Sequence, residues 1–232
     1  METEYIVNHE SSRMTVFEIL SACYFLPDPG LSEKLGHLEF NMTNVCETAV
    51  PLIQNMRKEF KAGADIEPLR VDFAKLFVGP YQLAAAPYGS VYLEDERKMM
   101  GNSTLDVRER YRDAGLDTAK TFKEAPDHIS AELEFMHYLI YKEIEAFANS
   151  DLESAIASIQ RQKSFLENHL MAWVPEFAKS ITEHARNPFY LNLARATEIF
   201  LKENYEIVCT AVDFKEVKAE DRGQSSECGM RK

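Results

Sequence analysis

The chain has 232 residues, 45% of them hydrophobic, and a formal net charge of -12. That length suits one compact domain with a sizeable core. So acidic a surplus argues against nucleic acid and anionic membrane surfaces as partners, since both attract Lys and Arg clusters, and it favours solubility and a basic partner.

The opening stretch METEYIVNHE lacks the positive start and apolar run of a secretory signal. No stretch approaches the roughly 20 apolar residues of a membrane span. A cytoplasmic location is therefore expected. Met14, Phe17, Leu20 and Tyr24 form the apolar stripe of a first helix, which the run PDPG at Pro27–Gly30 stops. A short second helix is predicted over Leu31–Leu38. Val45, Ala49, Leu52, Met56 and Phe60 make a third stripe, with Pro51 as a kink or break. Leu69–Val78 is a further helix, ended by Gly79 and Pro80.

The segment GPYQLAAAPYGSVYLEDER, Gly79–Arg97, has no helical stripe and reads as a long ordered loop, a feature that is often functional. The spacing Ser103-x-x-Asp106 resembles a capping box and opens a helix running to Ala114, with Gly115 as its left-handed stop. The longest helix is predicted from Asp127, on Ile129, Leu133, Met136, Ile140, Ile144 and Phe147. Another starts at Asp151 and is interrupted by Trp173, Val174 and Pro175. Asn187 and Pro188 form an N-cap and a first-turn proline for the last helix. Residues 1–214 are thus read as a single-domain, all-α multi-helix bundle. Residues 215–232 are charged, lack an apolar stripe and are expected to be disordered.

Catalytic motifs are missing: there is no phosphate-binding glycine loop, no H-E-x-x-H and no G-x-S-x-G. Cys23, Cys46, Cys209 and Cys228 form no C-x-x-C pair, so the first three are expected to be buried thiols in a reducing compartment. Glu134-x-x-His137 places carboxylate and imidazole on one helix face, but a di-metal bundle needs two such steps, so no metal is expected and the pair is placed on the solvated side. Asp127 is the natural N-cap, accepting from the backbone near Ser130. His128 would then take the first helical position, where the helix dipole disfavours its protonated form. Tyr81, Tyr88 and Tyr92 bring aromatic rings to the Gly/Pro-rich loop, where they either grip a peptide or plug the loop onto the core. Between Glu124 and Glu153 there are eight acidic residues and one lysine, Lys142. Such a run is either a solvated face or a dock for paired arginines.

The segments FAKLFVGPYQLAAAPYGSVYLEDER, GNSTLDVRERYRDAG and EAPDHISAELEFM occur in that order between about Phe73 and about Tyr141. Together they resemble the TorD/DmsD family of redox-enzyme maturation proteins. The resemblance implies an all-helical cytoplasmic chaperone without turnover or cofactor of its own. Such a chaperone binds the twin-arginine leader, the body, or both, of an apo molybdopterin oxidoreductase of the DMSO-reductase type until its cofactor is inserted and export begins. By the same resemblance, Leu76 and Phe77 are the family's structural L-F pair. Its peptide-binding residues correspond to Pro87, Tyr88, Ser90, Tyr92, Glu124, Asp127 and His128. Glu132 joins them as a nearby acid. Ala86, Tyr88 and the place of Pro126 depart from the commonest pattern, which bears on the choice of client rather than on the fold. A leader is a basic pair followed by an apolar stretch, so its site needs carboxylates beside an aromatic groove. The alternative is a small helical enzyme or cofactor-binding protein centred on Asp127 and His128. Either a monomer or a homodimer is compatible with the sequence.

Overall fold

The computed structural model describes residues 2–60, 65–79, 83–117 and 123–227, with side chains described between residues 7 and 212. Ten α-helices occur among them: α1 (Glu2–Cys23), α2 (Leu31–Val45), α3 (Val50–Glu59), α4 (Glu67–Phe73), α5 (Ser90–Leu93), α6 (Asn102–Asp113), α7 (Ile129–Ala148), α8 (Leu152–Phe165), α9 (Met171–His184) and α10 (Pro188–Glu227). The described residues contain no strand, only an isolated antiparallel bridge between Tyr88 and His128. The all-α bundle read from periodicity is the fold found. Among the described residues no helix is long and apolar enough to cross a membrane.

The core is built where the apolar stripes meet. α1 packs on α2 and α7, α7 on α8, and α10 on α3 and α9. Phe17 of α1 meets Phe200 of α10 edge-on at 4.8 Å between ring centroids. Leu76 and Phe77 are both buried, and Phe77 lies 5.6 Å from Tyr190 and 6.0 Å from Phe177. A guanidinium is buried as well. Arg13 of α1 donates to Asn204 of α10 (2.7 Å), to Gln162 of α8 (2.9 Å) and to Glu10, while Gln162 in turn donates to Glu143 of α7 (2.7 Å). A buried guanidinium is tolerable only when its donors are met in this way, and the network ties four helices into one register.

Several boundaries differ from the sequence reading. α2 runs to Val45, because nothing in Glu39–Asn44 breaks a helix, and the break comes at Cys46 and the 3-10 turn Glu47–Ala49. Pro51 then sits in the first turn of α3, where a missing N–H costs nothing. The segment after Gly79 is not one loop: it holds α5 and a 3-10 turn, Asp95–Arg97. Residues 80–82, and with them Tyr81, lie outside the described residues. α6 has no capping box of its own; Glu94, from upstream, accepts from the backbone N–H (2.7 Å) and hydroxyl (2.8 Å) of Ser103. The interruption expected at Trp173–Pro175 lies earlier, as a π-helical turn over Leu166–Leu170, and Pro175 is accommodated inside α9. α10 stays helical through the charged segment as far as Glu227. Cys23 and Cys46 are buried thiols, but Cys209 is only partly so; Cys228 is outside the described residues.

Candidate functional site

The segment Pro87–Tyr92 folds onto the start of α7 through main-chain bonds. Ile129 N donates to the Pro87 carbonyl (2.9 Å) and Gly89 N to the Asp127 carbonyl (2.9 Å). Asp127 itself is not the cap of α7. Its carboxylate Oδ2 instead accepts from the backbone N–H of Ser90 at 2.7 Å. The cap is His128, whose Nδ1 accepts from Ser130 N (3.2 Å) and lies 2.5 Å from Ser130 Oγ. An Nδ1 that accepts leaves the ring proton on Nε2. Burial presses the imidazole pKa down to about 4, with Glu124 and Asp127 opposing the shift. His128 is therefore neutral at pH 7, as the sequence suggested, with burial as the leading cause.

Two of the predicted acids point inward. Asp127 is 1% exposed and Glu132 fully buried. Glu132 Oε2 accepts from the Trp173 indole N–H at 2.9 Å, while Glu132 Oε1 and Asp127 Oδ1 make no hydrogen bond. Burial holds the Glu132 carboxyl well above its usual range, with Trp173 opposing and Asp127 adding to the shift. The Glu132 carboxyl therefore holds its proton to higher pH than an exposed glutamate does. Gly89 lies directly over this pair: a Cβ there would stand 3.1 Å from Trp173 Nε1 and 3.3 Å from Glu132 Oε1. A Cβ at those distances would be tighter than ordinary contact and would push on Trp173 or Glu132, so glycine suits this close approach.

The outer surface is formed by other residues. Glu124 is exposed and accepts the Tyr88 hydroxyl at 2.5 Å. Tyr88 is half-buried with its ring edge-on to His128 at 5.3 Å. Phe25 stacks on His128 at 6.1 Å and 23°, with its neighbour Leu26 57% exposed. Tyr92 is partly buried and stacks on Trp173 at 5.7 Å. Pro87 and Ser90 are buried and shape the turn. The predicted residues therefore do converge, but in two layers. Asp127, His128 and Glu132 form a buried footing, and Glu124 and Tyr88 face outward. Sequence reasoning missed Phe25 and Leu26, although two large apolar residues just before a helix-stopping PDPG are a signal. It noted Trp173, the chain's single tryptophan, only as an interruption.

His137 is not on the solvated side, since its Nδ1 faces the Met14 carbonyl at 3.1 Å, whereas Glu134 is exposed. Among the described residues no cluster of His, Cys, Asp and Glu is arranged to hold a metal ion.

The sequence profile described as nitrate reductase delta subunit matches residues 39–179. A chaperone protein TorD of Vibrio parahaemolyticus is 28% identical over 134 residues, 58% of this chain and 61% of that protein. A Tat proofreading chaperone DmsD of Salmonella typhi is 31% identical over 137 residues, 59% of this chain and 60% of that protein. The matched stretch thus spans about three fifths of these curated relatives. A crystal structure described as that of a redox enzyme maturation protein from Archaeoglobus fulgidus superposes with a TM-score of 0.51 at 27% identity, covering 82% of this chain and 93% of that one.

Proposed function

The chain belongs to the nitrate reductase delta subunit family, which includes TorD-like chaperones, and from that premise we propose that it is a cytoplasmic maturation chaperone. Its named relatives are chaperones, not catalysts. Its client is the apo form of a molybdopterin oxidoreductase, held by its twin-arginine leader until cofactor insertion. The observation that carries this reading is the surface raised over the Asp127–His128 turn, where exposed Phe25 and Leu26 and half-buried Tyr88 lie beside exposed Glu124. An aromatic and aliphatic strip with a carboxylate at its edge matches a peptide in which a basic pair precedes an apolar stretch. Glu124 and Tyr88 make the contacts. Pro87, Ser90, Asp127, His128 and Glu132 are positioning residues that fix the turn.

The test is a titration with leader peptides of twin-arginine-exported molybdoenzymes from the same cell. Glu124→Gln removes one exposed charge without touching the core. A contact of that kind is worth about 0.2–1 kcal/mol, so affinity should fall up to about fivefold, and less at high salt. Equal binding of intact and scrambled leaders would overturn the proposal.

A further inference from the structure

The segment that follows the candidate site contains a local contradiction. Glu96, Arg97 and Met100 have φ of 59°, 55° and 59°, so three non-glycine residues within five adopt the left-handed region. L-residues avoid this region, and it persists where surrounding contacts impose it. Two contacts impose it here. Met100 N donates to Ser90 Oγ at 3.2 Å, and Ser90 is the residue whose backbone is held by Asp127. The Arg97 guanidinium carbon stands 5.5 Å from the centroid of the Tyr92 ring, in cation–π geometry. Arg97 takes part in none of the ion pairs found among the described residues.

The Tyr92 ring is well prepared for a cation. The ring stacks on Trp173 at 5.7 Å and is T-shaped to Phe177 at 6.1 Å, so packing holds it before anything binds. Burial holds the phenol above its ordinary range, opposed by Ser180 and Arg97 and reinforced by Glu176, which places a carboxylate in the same surroundings. The chain around Arg97 also has a telling order: Arg97 and Lys98 are a basic pair, followed by Met99 and Met100, which are 45% and 67% exposed.

We infer that the face of Tyr92 is a guanidinium seat, filled in the free chaperone by the chain's own Arg97 and taken over by an arginine of the incoming leader. This rests on the leader-binding function proposed above. The segment Arg97–Met100 is then an internal stand-in, a basic pair followed by apolar residues, tethered beside the site. Displacing it lets the left-handed residues relax and frees two methionines, whose flexible side chains adapt to many apolar partners. The seat thus raises specificity, since a peptide must offer a cation able to compete with the resident one.

The experiment is a leader titration read by the emission of Trp173, the single tryptophan, which lies under the Tyr92 ring. Arg97→Ala and Arg97→Gln remove the resident cation at an exposed position. Both should tighten leader binding about two- to fivefold, the scale of an exposed cation–π contact. Tyr92→Leu should weaken the wild-type complex and abolish the gain from Arg97→Ala, while Tyr92→Phe should preserve both. A leader that binds only the Arg97 variants would support the seat most strongly. If the wild type binds the leader and neither Arg97 variant binds it more tightly, the seat is refuted and the leader-binding function stands. If neither wild type nor Arg97 variants bind any leader, both proposals fall.

Discussion

Glu132→Gln should make the protein more stable at neutral pH, by an amount that grows as pH rises. The wild-type side chain is fully buried, accepts one hydrogen bond from Trp173 at 2.9 Å, and has its other oxygen unbonded under Gly89. Burial first, and then the neighbouring Asp127, hold its pKa well above 4.5, while Trp173 acts the other way. In the unfolded chain the carboxyl releases its proton near the ordinary value. In the folded chain it releases it only at higher pH. The folded state then binds more protons, so stability falls as pH rises from about 4.5 toward the folded pKa. The limiting slope is about 1.4 kcal/mol per pH unit. Glutamine has the shape of the protonated acid and keeps a carbonyl for the Trp173 indole, but it has no proton to lose. The stability difference between variant and wild type should therefore open with pH. For a chain of this size 1 kcal/mol shifts Tm by about 2–4 °C, so the gap should widen by about 3–6 °C per pH unit. Thermal melts of both proteins at pH 5, 6 and 7 measure it. A gap that stays constant, or closes as pH rises, would refute the reasoning and show that Glu132 is ionised in the fold.

The other expectations are simpler. Asp127→Ala leaves the buried Ser90 N–H without its acceptor and should cost about 1–3 kcal/mol in urea unfolding; Asp127→Asn keeps an acceptor and should cost less. His128→Asn keeps a capping side chain but removes a ring whose pKa burial lowers to about 4. Wild-type stability should fall as pH drops from 6.5 toward 4, by up to about 1.4 kcal/mol per unit, and the variant should gain on it over that window in acid melts. We propose that the chaperone domain ends near residue 214; a chain stopped there should match the full chain in Tm and leader affinity, and a large loss of either would place the end of α10 in the working core.

Much of the fold is legible because helix periodicity is a local signal. The apolar spacing from Ile129 fixes α7, Asp151 caps α8 by accepting from Ser154 N at 3.0 Å, and Asn187 Oδ1 accepts from Phe189 N at 2.8 Å ahead of Pro188. What escaped was decided by partners distant in sequence. Nothing near Ser103 announces that Glu94 will cap its helix, because that depends on how the chain turns between them. The capping reading at Asp127 failed for a similar reason. Asp127 and His128 are both able to cap, and the choice went to His128 because the buried N–H of Ser90, brought in from the loop, needed an acceptor.

The inward turn of the acids changes what the charge run from Glu124 to Glu153 does. Counting signs along the sequence treats the eight acidic residues alike. Position on the helix does not: Glu132 lies three residues after Ile129 and four before Met136, on the stripe that packs against the core, and Glu143 lies three after Ile140 on the same stripe. That spacing was readable, and it outweighs the usual exposure of glutamate because each side chain finds a donor, Trp173 for one and Gln162 for the other. Glu132 is fully buried, so its carboxyl is not available to an arginine arriving at the surface. On the proposed leader surface, Glu124 is an exposed charge that could meet an arginine, with the Tyr88 hydroxyl donating to it. The buried acids act by shape instead. Asp127 holds the backbone of Ser90 and Glu132 holds the indole of Trp173, and so they fix the turn that carries Tyr88 and Tyr92.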